Sequence, residues 1–118
     1  MSNIKFGLML AAGILSLAAC GGGTPEAPVA TSGASSDLLS NGEKTSFLFK
    51  EEGEYSIFCE PHPVMKMTVV VEEGAEQPGR VAVNIANYAF SEKTITVAPG
   101  TTIVWTNKEQ LEHNVSIK

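Results

Sequence analysis

An antiparallel β-sandwich is the fold this sequence predicts, and three observations from Asp37 onward predict it. Apolar and polar residues alternate in short runs, turn residues punctuate those runs, and no stretch carries apolar residues at helical spacing over a useful length. A chain of 118 residues with 11 glycines and 6 prolines holds one small domain plus some unstructured length. Its net charge of −5, with the acidic residues scattered, excludes the basic stripe that a nucleic-acid partner requires.

The strands follow in order. Thr45-Ser46-Phe47-Leu48-Phe49 alternates, Glu51-Glu52-Gly53-Glu54 turns, and Tyr55 to Cys59 alternates again with Tyr55, Ile57 and Cys59 on one face. Thr68 to Val71 is an apolar strand, and Glu73 to Gly79 is polar turn material. Val81 to Ile85, Thr94 to Val97 and Thr101 to Thr106 are three more strands, the last two joined by Pro99-Gly100. Finally His113, Val115 and Ile117 are in phase, so His113 starts a strand on its buried face.

The first 36 residues stand apart. Met1 to Lys5 is a short basic region, and Phe6 to Ala19 is an apolar run too short for a comfortable membrane span, so residues 1–19 read as an export signal. Leu17-Ala18-Ala19-Cys20 resembles the bacterial lipobox, which makes Cys20 the lipidation site and places the mature protein on a membrane, in the periplasm or at the cell surface. Residues 20–36 are small and polar with nothing to bury, the composition of a flexible tether. The folded domain is therefore expected over residues 37–118. The two cysteines of an exported chain suggest a disulfide, but Cys20 lies at the signal boundary and Cys59 in a metal-ligand pattern.

That pattern is Cys59-Glu60-Pro61-His62-Pro63-Val64-Met65. Thiolate, imidazole and thioether at i, i+3 and i+6 are the donors that suit copper when soft sulfur is combined with imidazole. A Cys–His pair also suits a thiol nucleophile and its base, yet Met65 has no part in acyl transfer, so the set reads as metal-binding and the chain as no enzyme. A blue-copper centre needs a second imidazole, and the chain has one other histidine, His113. Met67 competes with Met65 for the thioether role, and spacing favours Met65. Trp105 reads as core.

Strand direction tests whether one ion can collect these ligands. With Cys59 and His113 at the same end, Tyr55–Cys59 and Thr101–Thr106 run toward it, Met67–Glu72 and Thr94–Val97 away, and Val81–Ile85 toward. Glu72 and Val81 then meet at the far end, where the linker Gly74–Arg80 joins them without crossing the sandwich. A single chain closes the site as a monomer; the rival is exchange of the His113 half between two chains.

These residues resemble the cupredoxins, the blue-copper family that includes plastocyanin and amicyanin. Asn87-Tyr88-Ala89-Phe90-Ser91 through Ala98-Pro99-Gly100, Val104-Trp105-Thr106-Asn107 and His113-Asn114-Val115 is similar to the family's first half. Leu38-Leu39 through Gly42-Glu43, Gly53-Glu54-Tyr55 and the Cys59–Met65 stretch is similar to its second half. The halves stand in reversed order, so the resemblance implies a circularly permuted Greek-key β-sandwich. The permutation also makes Ile117-Lys118 a short final strand that leaves a sheet edge open.

Carried over residue by residue, the resemblance implies His113, Cys59 and His62 as copper ligands and Met65 as the long axial one. It implies Asn114 as a hydrogen-bonding support of the Cys loop, while Pro61 and Pro63 fix φ on both sides of His62 and limit how far the loop relaxes. The implied function is a lipid-anchored one-electron carrier with one Cu(I)/Cu(II) per domain and a redox protein as partner. The alternatives are a copper storage or delivery module and a metal-free adhesive sandwich.

Overall fold

The computed structural model describes residues 27–76 and 79–118, so the signal and lipidation assignments on residues 1–20 lie outside the described residues. Eight strands form two four-stranded sheets, and no helix occurs among the described residues. In chain order they are β1 (Lys44–Phe49), β2 (Gly53–Phe58), β3 (Lys66–Val71), β4 (Arg80–Ala86), β5 (Ala89–Phe90), β6 (Thr94–Val97), β7 (Thr101–Asn107) and β8 (Ser116–Ile117). One sheet has the order β8-β2-β3-β6, the other β1-β7-β4-β5. The all-β sandwich expected from the alternation is the fold observed.

The inward residues are those the period-2 pattern selects. Met67, Val69 and Val71 of β3 and Ile95 and Val97 of β6 face Phe47, Phe49, Val83, Ile85, Ile103 and Trp105 of the other sheet within one core. Phe49 packs edge-on against Tyr55 at 5.1 Å between centroids, and Phe47 edge-on against Trp105 at 6.1 Å. Such aromatic pairs add about 0.5–1.5 kcal/mol each beyond area burial. The turn Ala98-Pro99-Gly100-Thr101 places proline second and Gly100 third at φ +92, a conformation that side chains rarely adopt. It delivers β7 into its sheet.

Strand directions agree with the parity argument. β3 pairs parallel with β6 and β4 parallel with β7, while β2 runs antiparallel to both β3 and β8. At the far end Glu72 donates its N–H to Val97 O (3.0 Å) and Thr102 donates to Gly79 O (2.7 Å), so both ends of the linker between β3 and β4 sit away from Cys59.

Two expectations need correction, and they share one cause. Residues 27–36, read by composition as tether, are paired backbone. Leu48 donates to Pro28 O and Ala30 to Leu48 O (both 2.8 Å) along β1, and Ala30 is buried. The chain then crosses to the other sheet, where Gly33 N donates to Ile117 O, Ile117 N to Ala34 O and Ser36 N to Val115 O (each 2.8 Å). The strap thus covers the β8 edge that was expected to stand open. It also explains why residues 113–117 are buried on both faces rather than alternately. Small polar residues give no periodicity signal, and what orders them here is main-chain pairing.

A chain beginning at Asp37 loses this strap. Compared with one beginning at Ala27, it is expected to be less stable by at least about 2 kcal/mol in denaturant melts, at about 1 kcal/mol for each net hydrogen bond lost. Equal stability would show the strap to be a solvated tether.

Candidate metal centre

The site is assembled where β2 ends. In β2 the register pairs Phe58 with Ser116 and Ile57 with Ile117, so the segment preceding β8 lies beside the chain that leaves β2. Asn114 locks this juxtaposition: its Oδ1 accepts from Glu60 N (2.8 Å), and its Nδ2 donates to Glu60 Oε1 (2.9 Å) and Ser36 O (3.3 Å). His113 is pinned on its other side, where Leu39 N donates to His113 O (2.7 Å) and His113 N to Leu39 O (3.3 Å). Both Asn114 and His113 are buried.

The Cys59–Met65 loop folds back on itself. His62 N donates to Cys59 O (3.2 Å), Met65 N to His62 O (2.9 Å) and Cys59 N to Met65 O (3.3 Å). Pro61 and Pro63 have no N–H to place, so the loop satisfies its amides with these short internal bonds. Cys59 and Met65 point inward and are buried, Val64 stands out into solvent, and His62 is half-buried.

Three donor atoms converge. Cys59 Sγ lies 3.5 Å from His113 Nδ1 and 3.9 Å from His62 Nδ1, and the two Nδ1 atoms are 3.2 Å apart. These residues are the metal-capable cluster found among the described residues. A metal bonded at about 2.0 Å to nitrogen and about 2.3 Å to sulfur, with its ligands in a trigonal plane, needs donor separations of about 3.5–3.7 Å. The three edges, 3.2, 3.5 and 3.9 Å, bracket that range, so small side-chain shifts bring the donors to it.

Proton placement agrees. Glu109 Oε2 lies 2.9 Å from His113 Nε2 and accepts Tyr88 N–H at 3.0 Å. A carboxylate oxygen accepts, so Nε2 carries the imidazole proton and the Nδ1 lone pair faces Cys59. The Tyr88 amide is the largest influence and holds the Glu109 carboxyl below its ordinary range; burial opposes it, and the hydrogen bond and charge of His113, with the charge of His62, add to the lowering.

The two methionines separate clearly. Trp105 Nε1 donates to Met67 Sδ at 3.4 Å inside the core, so the Met67 thioether is engaged by the indole. Met65 is buried at the end of the ligand loop with the sulfur-bearing side chain turned inward. Trp105, with no exposed surface, is core as expected.

Sequence reasoning missed three contributors. Glu109 precedes His113 by four residues, but in a loop that spacing implies no contact, and its role follows only from the fold. Asn107 organises that loop, donating to Leu39 O (2.7 Å) and Leu111 O (2.8 Å) and accepting Glu109 N–H (3.1 Å). Tyr88 stands edge-on to both imidazoles, at 5.1 Å from His62 and 6.0 Å from His113.

Residues 22–72 match the family model of copper binding proteins of the plastocyanin/azurin family. The matched segment carries Cys59, His62 and Met65 and ends before the His113 half. No curated protein and no solved structure matches the chain. Together the match over this segment and the donor set support copper as the metal of this all-β domain.

Proposed function

We propose that this chain is a lipid-anchored, circularly permuted cupredoxin whose blue copper centre carries single electrons to or from a redox protein. The observation that carries the reading is the convergence of one thiolate and two imidazole nitrogens within 4.8 Å of one another. Copper bound there supplies a one-electron Cu(I)/Cu(II) couple. Cys59, His62 and His113 would hold it, and Met65 would supply a weak thioether donor.

The rest of the site supports transfer rather than storage. Cys59 and His113 are fully buried, and the loop is braced by its own amides, two prolines and Asn114. Donors that barely move on a change of oxidation state leave little reorganisation to oppose an electron. A delivery site instead needs ligands that open to release the metal. His62 is the half-buried member of the set and so the route by which the electron reaches the surface.

Permutation is supported by strand direction and by the position of the family match, which spans the Cys59 half and precedes the His113 half. Export and anchoring rest on Leu17-Ala18-Ala19-Cys20 alone, and they place the protein in the periplasm or at the cell surface.

Two experiments check the reading. Adding Cu(II) to the purified domain is expected to give an intense visible sulfur-to-copper band, reversibly bleached by reductant and missing in Cys59→Ser. A colourless complex of the unmodified domain would contradict the electron-carrier role. For the anchor, acyl labelling of the expressed full chain is expected to require Cys20 and to vanish in Cys20→Ala; unlabelled, soluble protein from the unmutated gene would refute it.

A further inference from the structure

One carboxylate oxygen of Glu109 does two things at once. It receives the Nε2 proton of His113 at 2.9 Å and the backbone N–H of Tyr88 at 3.0 Å. Neither partner is incidental. His113 contributes one corner of the donor triangle, and Tyr88 covers both imidazoles from outside.

Glu109 is itself held. Its own amide donates to Asn107 Oδ1, the next residue back, Lys108, donates to Ile85 O on β4 (2.8 Å), and Asn107 Nδ2 grips Leu111 O two residues on. Asn107 is fully buried at the end of β7, so the loop is fixed to the sandwich rather than draped over it.

Tyr88 occupies an uncommon conformation. Asn87 and Tyr88, the two residues between β4 and β5, have φ of +56 and +57, the left-handed pair of a type I′ hairpin turn. Asparagine tolerates this region, whereas a tyrosine there is unusual and persists when its surroundings over-determine it. Those surroundings are the Glu109 carboxylate on its amide and the two imidazoles against its ring. Although Tyr88 is half-exposed, its ring position is therefore set from the buried side.

We infer that Glu109 is a positioning residue of the copper centre. Its carboxylate fixes His113 with Nδ1 toward the metal, anchors the Tyr88 turn over the imidazoles, and places a negative charge behind one ligand that favours Cu(II) over Cu(I). A carboxylate behind a ligating imidazole raises its basicity, and loss of such a partner typically weakens metal binding about 10–100-fold. The negative charge acts on the couple as well, since it stabilises the more positive oxidation state. This inference rests on the copper reading above, and one arm of its test is independent of copper.

The test compares unmodified protein with Glu109→Gln and Glu109→Ala. In the metal-free protein, 15N spectra are expected to show His113 in one tautomer, protonated at Nε2. Glu109→Gln, which keeps an acceptor oxygen, retains that tautomer, and Glu109→Ala gives a mixture. With copper, chelator competition is expected to show Cu(II) affinity about 10–100-fold lower in Glu109→Ala. Glu109→Gln is expected to shift the Cu(I)/Cu(II) ratio about tenfold toward Cu(I), which is about 59 mV upward in potential for one electron. An unchanged His113 tautomer in Glu109→Ala overturns the inference whether or not the protein is blue. If Glu109→Ala does not fold, the near-isosteric Glu109→Gln decides alone, and a blue variant with an unmoved potential overturns the proposal. A colourless unmodified protein with the expected tautomer pattern would instead overturn the copper reading and the charge effect, and leave the positioning of His113 established.

Discussion

Pairing of β8 with β2 is the constraint on which the metal centre depends. Phe58 opposite Ser116 is a main-chain register, and it brings two distant parts of the chain side by side just past the end of β2. A slip of one residue would turn His113 away from Cys59 and Asn114 toward it, because successive side chains point to opposite faces. Asn114 makes such a slip costly: its buried amide is matched to Glu60 by two hydrogen bonds, and the slip would take that amide away from both. The ligand triangle is thus a consequence of register, and Asn114 guards that register.

The strap of residues 28–39 secures the same juxtaposition from the other side. It pairs first along β1 of one sheet and then along residues 113–117 beside the other, so it closes one flank of the sandwich and holds His113 through Leu39. A two-residue strand such as β8 has little pairing of its own. Sandwiched between β2 and the strap, it is buried throughout, and its one exposed edge is removed. Stability and site geometry therefore share the same hydrogen bonds.

Much of this was legible in the residues. Six of the seven strands expected from alternation occur, since Val69 and Val71 or Ile95 and Val97 advertise an inner face at period 2; of the seventh, expected to start at His113, only Ser116–Ile117 is strand, and His113 forms an isolated bridge to Leu39. The donor residues were legible because Cys, His and Met seldom crowd one proline-braced loop. What stayed hidden depends on long-range backbone contact. Ala30 and Ser36 look like linker residues and become structure only against β1 and Val115. Ala89-Phe90 is too short for any pattern, and its turn breaks the usual residue preference by placing Tyr88 at positive φ. Glu109 lies in a polar loop whose path no local signal fixes, so its approach to His113 emerges only when Asn107 is in place.

The most direct test of the account asks whether one chain closes the site, as the strand directions allow. His113→Ala and Cys59→Ser chains, each lacking one ligand, are refolded together with Cu(II). The account predicts a colourless mixture, because each chain keeps its own defect. Visible colour recovered in a dimer-sized species would contradict it, showing that the His113 half of one molecule completes the Cys59 half of another.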